Sequence, residues 1–122
     1  ERGLGSKYLV ENVDPTVDPL GPGNVLIFAT GPLTGTMAST SGRYAVITKG
    51  PLNGAISCSN SGGKFGAELK FAGYDLILIE GRAGSPVYLL IEDENIRILP
   101  AGEIWGGSVW ETEEQIRNIH KN

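Results

Sequence analysis

The chain has one cysteine, Cys58, one histidine, His120, and no apolar run near the roughly 18 residues a membrane helix requires. A single thiol excludes an internal disulfide and cannot by itself ligate zinc or an iron–sulfur cluster. Cys58 lies between Ser57 and Ser59 with no nearby histidine to serve as its base, so it reads as a small inert apolar residue rather than a nucleophile. Basic side chains are also scarce. Ten Lys and Arg against fourteen Asp and Glu give a net charge of −4, which argues against a general nucleic-acid surface and leaves a small molecule or a protein as partner. With no membrane span and no secretory signal pattern, a cytoplasmic location is expected. The Lys-Ser/Thr of a phosphate loop, a complete dinucleotide fingerprint, a carboxylate pair and a nucleophile triad are all missing.

Glycine is abundant instead: eighteen residues, well above the usual share of roughly 7% and without a strict period. The hydrophobic residues, 40% of the total, fall in clear blocks that can bury a core. The length of 122 residues suits a single domain spanning residues 1–122. It reads as a piece of a longer protein, since ERGLGSKYLVENV has the pattern of an element's middle and ETEEQIRNIHKN is an amphipathic helix without a stop signal.

Gly3–Asn12 is expected to be a short helix with Leu4, Tyr8 and Leu9 or Val10 near one face. Asp14-Pro15 and Asp18-Pro19-Leu20-Gly21-Pro22 break the chain into a turn-rich connector. The run Val25–Thr30 (VLIFAT) reads as a buried strand, and Arg43–Thr48 (RYAVIT) as a second. Each is followed by a near-identical loop, Gly31-Pro32-Leu33-Thr34-Gly35 and Gly50-Pro51-Leu52-Asn53-Gly54. The pair marks either a duplicated β unit or two turns that solve the same steric problem. Phe65–Ala72 reads as a helix closed by Gly73. Leu76–Glu80 and Val87–Ile91 are strands joined by a hairpin-length loop, and Asn95–Leu99 is a half-exposed strand beside its predecessor. Ser108 can N-cap a final helix carrying Val109, Trp110, Ile116 and Ile119, with Trp105 and Trp110 as core or interface anchors. His120 is expected at a solvated position. The fold class is α+β: a strand-dominated sheet platform, with duplicated β units as one origin of its paired loops, and with short helices near both ends and in the middle.

The candidate chemistry lies between Ser41 and Gly73, in SGRYAVITKGPLNGAISCSNSGGKFGAELKFAG. Arg43 offers a planar fork of donors suited to phosphate, and the glycines of Asn60-Ser61-Gly62-Gly63 let backbone N–H groups approach an anion closely. Two plainer readings stand beside this one. Arg43 is equally an exposed arginine at a strand end, and Asn60–Gly63 a tight turn before a helix.

Several segments in order carry a family resemblance: RGLGSKYL, VDPTVDPLGPGNVLIFATGPLTGT, SGRYAVITKGPL, SNSGG followed by FGAELKFAGYDLILIEG, and PVYLLI. Trp105-Gly106 also falls where the family has Ile-Trp-Gly. With these the chain resembles the N-terminal, cofactor-binding domain of the tungsten-containing aldehyde:ferredoxin oxidoreductases. The resemblance implies a β platform under a bis-pterin tungsten cofactor (tungstopterin), or its molybdenum counterpart. It implies that Arg43, Asn60, Ser61, Gly62 and Gly63 contact the cofactor, and that Asn60 contacts a magnesium ion bridging the two pterin phosphates. The implied activity is oxidation of aldehydes to carboxylic acids, with electrons passing through a four-iron four-sulfur cluster to ferredoxin. The family's second cradle, its cluster cysteines and its acid and base residues do not occur in these 122 residues. The piece is therefore expected to be inactive alone and to work with the remaining domains of its parent, for which a homo-oligomer is one expected assembly. A related subunit acting on an aromatic acyl thioester, and a non-catalytic pterin-cofactor binding module, are the alternative readings.

Overall fold

The computed structural model describes residues 1–121, which fall into two compact units, one over Glu1–Arg82 and one beginning at Ala83. The architecture is α+β, with six strands in two antiparallel sheets and three short helices.

The first unit begins with α1 (Arg2–Asn12), followed by β1 (Val25–Thr30), β2 (Tyr44–Lys49), β3 (Ile56–Ser61), α2 (Phe65–Phe71) and β4 (Leu76–Glu80). The strands form one antiparallel sheet in the order β3-β2-β1-β4. Alternation along β1 and β2 sends Val25, Ile27, Ala29, Ala45 and Ile47 to one face, where they are buried with Leu9 of α1. Ile27 and Ile47 are fully enclosed, and each contributes about 1.5–3 kcal/mol by burial. Tyr8, Val13, Cys58 and Leu76 pack around this cluster. Cys58 thus fills core space, as its apolar reading implied.

Three sequence expectations change here. On α1 the sheet-facing pair is Gly5 and Leu9, while Leu4 and Val10 are exposed. A Cβ on Gly5 would lie 2.6 Å from Ile47 Cδ1, so the missing side chain is what lets the helix settle on β2. Asn60 and Ser61 do not belong to a turn: they are the last two residues of β3, paired with Ala45 and Tyr44. And β4 is not one arm of a hairpin with the strand that follows it, because β4 pairs with β1.

The two matched loops leave antiparallel strands and so lie at opposite ends of the sheet. What they share is a left-handed fifth residue, Gly35 at φ 80° and Gly54 at φ 68°, a conformation that glycine adopts without steric penalty. Gly73 ends α2 as expected: at φ 96° it lets its own amide reach Lys70 O and the Tyr74 amide reach Leu69 O, a Schellman closure.

The second unit contains β5 (Val87–Glu92) and β6 (Asn95–Pro100), paired as an antiparallel hairpin, and α3 (Val109–Ile119). Asp93 turns the hairpin at φ 52°, which a short polar side chain tolerates. Ser108 caps α3 in a reciprocal box: its hydroxyl accepts from the Glu111 amide, and the Glu111 carboxylate accepts from the Ser108 amide. One expectation fails here, and one is narrowed to its interface alternative. His120 is half-buried and shares a 2.9 Å hydrogen bond with the Tyr88 hydroxyl, so it is not simply solvated. Trp105 and Trp110 are 71% and 81% exposed and anchor no core within their unit.

Candidate functional site

The sheet order gathers one end of four strands. Thr30 at the end of β1 pairs with Tyr44 at the start of β2, Tyr44 pairs with Ser61 at the end of β3, and Leu76 at the start of β4 pairs with Ala29. Every segment leaving this end is rich in glycine or hydroxyl residues: Gly31–Gly35, Ser39–Arg43 and Gly62–Gly63. Antiparallel topology, rather than proximity in sequence, therefore brings Arg43 beside Gly62 and Gly63.

Arg43 directly precedes β2 and is exposed, and among the described residues its guanidinium has no ion-pair partner. The pleat, continued one residue before Tyr44, puts Arg43 on the same side as Ala45, the partner of Asn60. Arg43 and Asn60 are thus diagonal neighbours on the face that α1 covers farther along. Ser61 faces the other way, with Tyr44. On that side Tyr44, Phe28 and Phe65 form an aromatic cluster, with Tyr44 and Phe65 centroids 4.9 Å apart and Phe28 and Phe65 5.9 Å apart. The five candidate residues thus divide: Arg43 and Asn60 on one side, Ser61 on the other, and Gly62 and Gly63 at the rim between.

The rim is open. No atom lies within 4 Å of a Cβ built on Gly62 or Gly63, and Gly63 has φ 81°. Among the described residues, the amides of Gly62 and Gly63 donate to no backbone carbonyl, and the Asn60 carboxamide has no hydrogen-bond partner. An unpaired guanidinium, a free carboxamide and two free amides suit a phosphate group, while the open space at the glycines admits a ligand where a side chain would stand. The donor set fits the phosphate end of a pterin cofactor. No group of three or more His, Cys, Asp or Glu able to hold a metal occurs among the described residues. A magnesium ion at Asn60 would need phosphate oxygens to complete its shell.

The sequence reading missed the residues that hold this end together. Thr34 is 3% exposed; its hydroxyl accepts from the Gly31 amide at 3.0 Å and donates to the Arg43 carbonyl at 3.4 Å, tying the β1 exit to the arginine. Gly66 of α2 packs on the same knot: a Cβ there would lie 3.2 Å from both Gly42 O and Thr34 Cγ2. The available signal was the difference between the paired loops, Thr34 in GPLTG against Asn53 in GPLNG. In this unit two groups have displaced pKa values, both at the far end of the sheet. The Tyr8 hydroxyl is raised by its hydrogen bond to Glu80, and Asp14 is lowered by the hydroxyl and amide of Thr16.

Fold and site together define a class, an α+β platform with a donor-lined, glycine-rich sheet end. The chain belongs to the aldehyde ferredoxin oxidoreductase family: the family model described as its N-terminal domain matches residues 1–122. The tungsten-containing aldehyde ferredoxin oxidoreductase of Pyrococcus abyssi is 60% identical over 95% of this chain and 19% of its own length. The WOR-like subunit of an aliphatic sulfonate oxidoreductase from Pyrococcus furiosus is 36% identical over 98% of the chain and 20% of its own. Among solved structures, the active-site complex BamBC of benzoyl-coenzyme A reductase, in complex with 1,5-dienoyl-CoA, superposes with a TM-score of 0.93. That match is 38% identical and covers 96% of this chain and 18% of its own. The chain thus spans about a fifth of the length of these relatives. They are oxidoreductases, and no helix among the described residues is long and apolar enough to cross a membrane.

Proposed function

We propose that this chain forms part of the cofactor-binding N-terminal domain of a cytoplasmic aldehyde:ferredoxin oxidoreductase, where it holds the phosphate end of a bis-pterin tungsten cofactor. The observation that carries the reading is the unpaired Arg43 beside the open, undonated amides of Gly62 and Gly63. Arg43 would hold phosphate through its planar fork, the two glycine amides would add donors at the rim, and Asn60 would offer its carboxamide oxygen to a magnesium ion. Ser61, on the opposite side of the strand with Tyr44, would meet the cofactor from the aromatic face. When bound, the cofactor supplies the two-electron chemistry that converts an aldehyde to a carboxylic acid.

The chain orients that cofactor and does not catalyse alone. Its one thiol, Cys58, packs against the core, so cluster ligation and proton transfer belong to other domains of the parent, as does delivery of electrons to ferredoxin. The likeness to the benzoyl-coenzyme A reductase complex favours a second reading, a subunit acting on an aromatic acyl thioester. Identity of 60% to the aldehyde enzyme against 38% to that complex sets the order of the two.

The test is metal and pterin analysis of the full-length protein with Arg43→Ala and Asn60→Ala variants. Losing one or two charge-assisted hydrogen bonds, each about 1.5–3 kcal/mol, should lower tungsten and pterin retention at least about tenfold while circular dichroism stays unchanged. Full retention in both variants would reduce these residues to scaffold. Aldehyde-dependent reduction of a low-potential acceptor, assayed beside an aromatic acyl thioester, separates the two substrate readings.

A further inference from the structure

We propose that Asn53, in the exposed turn between β2 and β3, is a site of spontaneous deamidation, where the chain converts its own asparagine to aspartate and isoaspartate. The turn lies at the sheet end opposite Arg43, so the reaction is independent of cofactor binding.

The chemistry is intramolecular. The amide nitrogen of the residue after an asparagine attacks the side-chain Cγ; its proton passes to water, the Cγ–Nδ2 bond breaks and ammonia leaves. Water then opens the succinimide ring at one of its two carbonyls. One opening leaves aspartate, and the other leaves isoaspartate, whose main chain runs through the β-carbon. In sum, asparagine and water give the acid and ammonia, with no change of oxidation state. A side chain on the attacking residue obstructs ring closure. Asn12, Asn24, Asn95 and Asn118 precede valine or isoleucine, and Asn60 precedes serine inside paired β3. Only Asn53 precedes a glycine.

The turn supplies the rest. Residues 51–57 are exposed, so water and hydroxide reach the peptide. A Cβ built on Gly54 would meet nothing nearer than Lys49 Cε at 3.9 Å, which leaves the attacking residue unobstructed. The Ala55 amide donates to Asn53 Oδ1 at 3.0 Å, an Asx turn that holds the carboxamide toward the peptide that follows it. The same bond polarises the carbonyl and stabilises the oxyanion that forms when Cγ is attacked. One contact opposes the reaction: the Gly54 amide donates to Gly50 O at 3.0 Å and must open first. In an exposed turn such opening costs little.

The two products differ in effect. Aspartate keeps an oxygen for the Ala55 amide and adds a negative charge without altering the backbone. Isoaspartate lengthens the main chain inside a turn closed by the Gly54 amide on Gly50 O and the Gly50 amide on Ala55 O, and it misaligns both. Lys49, directly before this turn, clasps Pro15 O and Val17 O, so the disturbance reaches the connector after α1.

The test incubates the full-length protein in mildly alkaline buffer, native and unfolded in urea, and follows the Asn53 peptide by mass spectrometry and by labelling with an isoaspartyl methyltransferase. Native protein should form isoaspartate at Asn53 within about tenfold of the unfolded rate, the most that one backbone hydrogen bond protects. Asn53→Thr, which copies the matched loop, should remove the label and unfold at the wild-type temperature, whereas aged wild type should unfold at a lower one. A native rate more than about tenfold below the unfolded rate would overturn the proposal, since the Gly54 bond would then lock the turn. Label retained by Asn53→Thr would overturn it as well, by placing the reaction elsewhere. Equal unfolding of aged and fresh protein would overturn the effect assigned to isoaspartate.

Discussion

Two cations near β2 show how the surroundings of a residue decide its task. Lys49 at the end of β2 is committed: its ammonium donates to Pro15 O at 2.8 Å and Val17 O at 2.6 Å, clasping the connector that follows α1. Arg43 before the start of the same strand has no such partner, which is why it, and not Lys49, is available to an anion. Asn24 is the matching polar pin on the strand side. Its amide donates to Pro19 O, Thr48 Oγ1 and Lys49 O, and its carbonyl accepts from the amides of Val25 and Lys49. Truncation leaves several half-buried groups unpaired, each worth about 1–3 kcal/mol when fully desolvated. Asn24→Ala should therefore lower the unfolding free energy by about 2–3 kcal/mol in urea titration, with the Arg43 end of the sheet left intact. A loss below about 0.5 kcal/mol would mean that water replaces these bonds.

At the scale of elements, helix α1 sits on the sheet only because position 5 has no side chain. In an isolated helix Gly→Ala would gain about 1 kcal/mol, but here the new Cβ meets Ile47 at 2.6 Å, and overpacking a closed core costs about 1–3 kcal/mol. Gly5→Ala should therefore destabilise on balance, and a rise in melting temperature would refute that order of terms. Helix α3 makes a pH prediction. Hydrogen bonds from the Ser108 hydroxyl and amide hold the Glu111 carboxyl below its usual range. A group lowered in the folded state stabilises above its unfolded pKa, and that contribution fades as pH falls through the folded value. The start of α3 should then fray in mild acid, seen as loss of helical chemical shifts at Val109–Glu111, and Glu111→Gln should flatten this pH response. The same elements show what sequence could and could not tell. The strands VLIFAT and RYAVIT announce themselves by apolar runs, and Gly73 and Ser108 by cap chemistry. Strand β3 is ISCSNS, an edge strand exposed over most of its length, so it needs no apolar period and gave none. Asn60 could be singled out as a residue type, but only the β2–β3 register places it diagonally from Arg43. The Thr34 clasp shows in sequence only as the one-residue difference between the paired loops, and nothing in that difference says that the hydroxyl is buried and bonded to both loops.

At the scale of the whole molecule, the most visible feature is apolar surface without a cover. In the second unit α3 buries none of its residues, and Val109, Trp110 and Ile119 are exposed together with Trp105. In the first, Phe71, Leu78 and Ile79 are exposed as well. Scattered apolar residues are ordinary on a surface, but a helix with an unburied apolar stripe beside two open tryptophans is the mark of a face meant to be covered. Relatives of which this chain represents 19% have ample further sequence to supply that cover. The 122-residue chain by itself should consequently self-associate, with a sedimentation coefficient that rises with concentration and with bound hydrophobic dye. Trp110→Lys with Val109→Lys should reduce both effects, since exposed positions on α3 accept lysine without disturbing a core. The full-length protein should bind little dye at the same molar concentration. A monomeric, dye-free fragment would show instead that the exposed stripe of α3 is simply solvated surface, with no covering role for other domains.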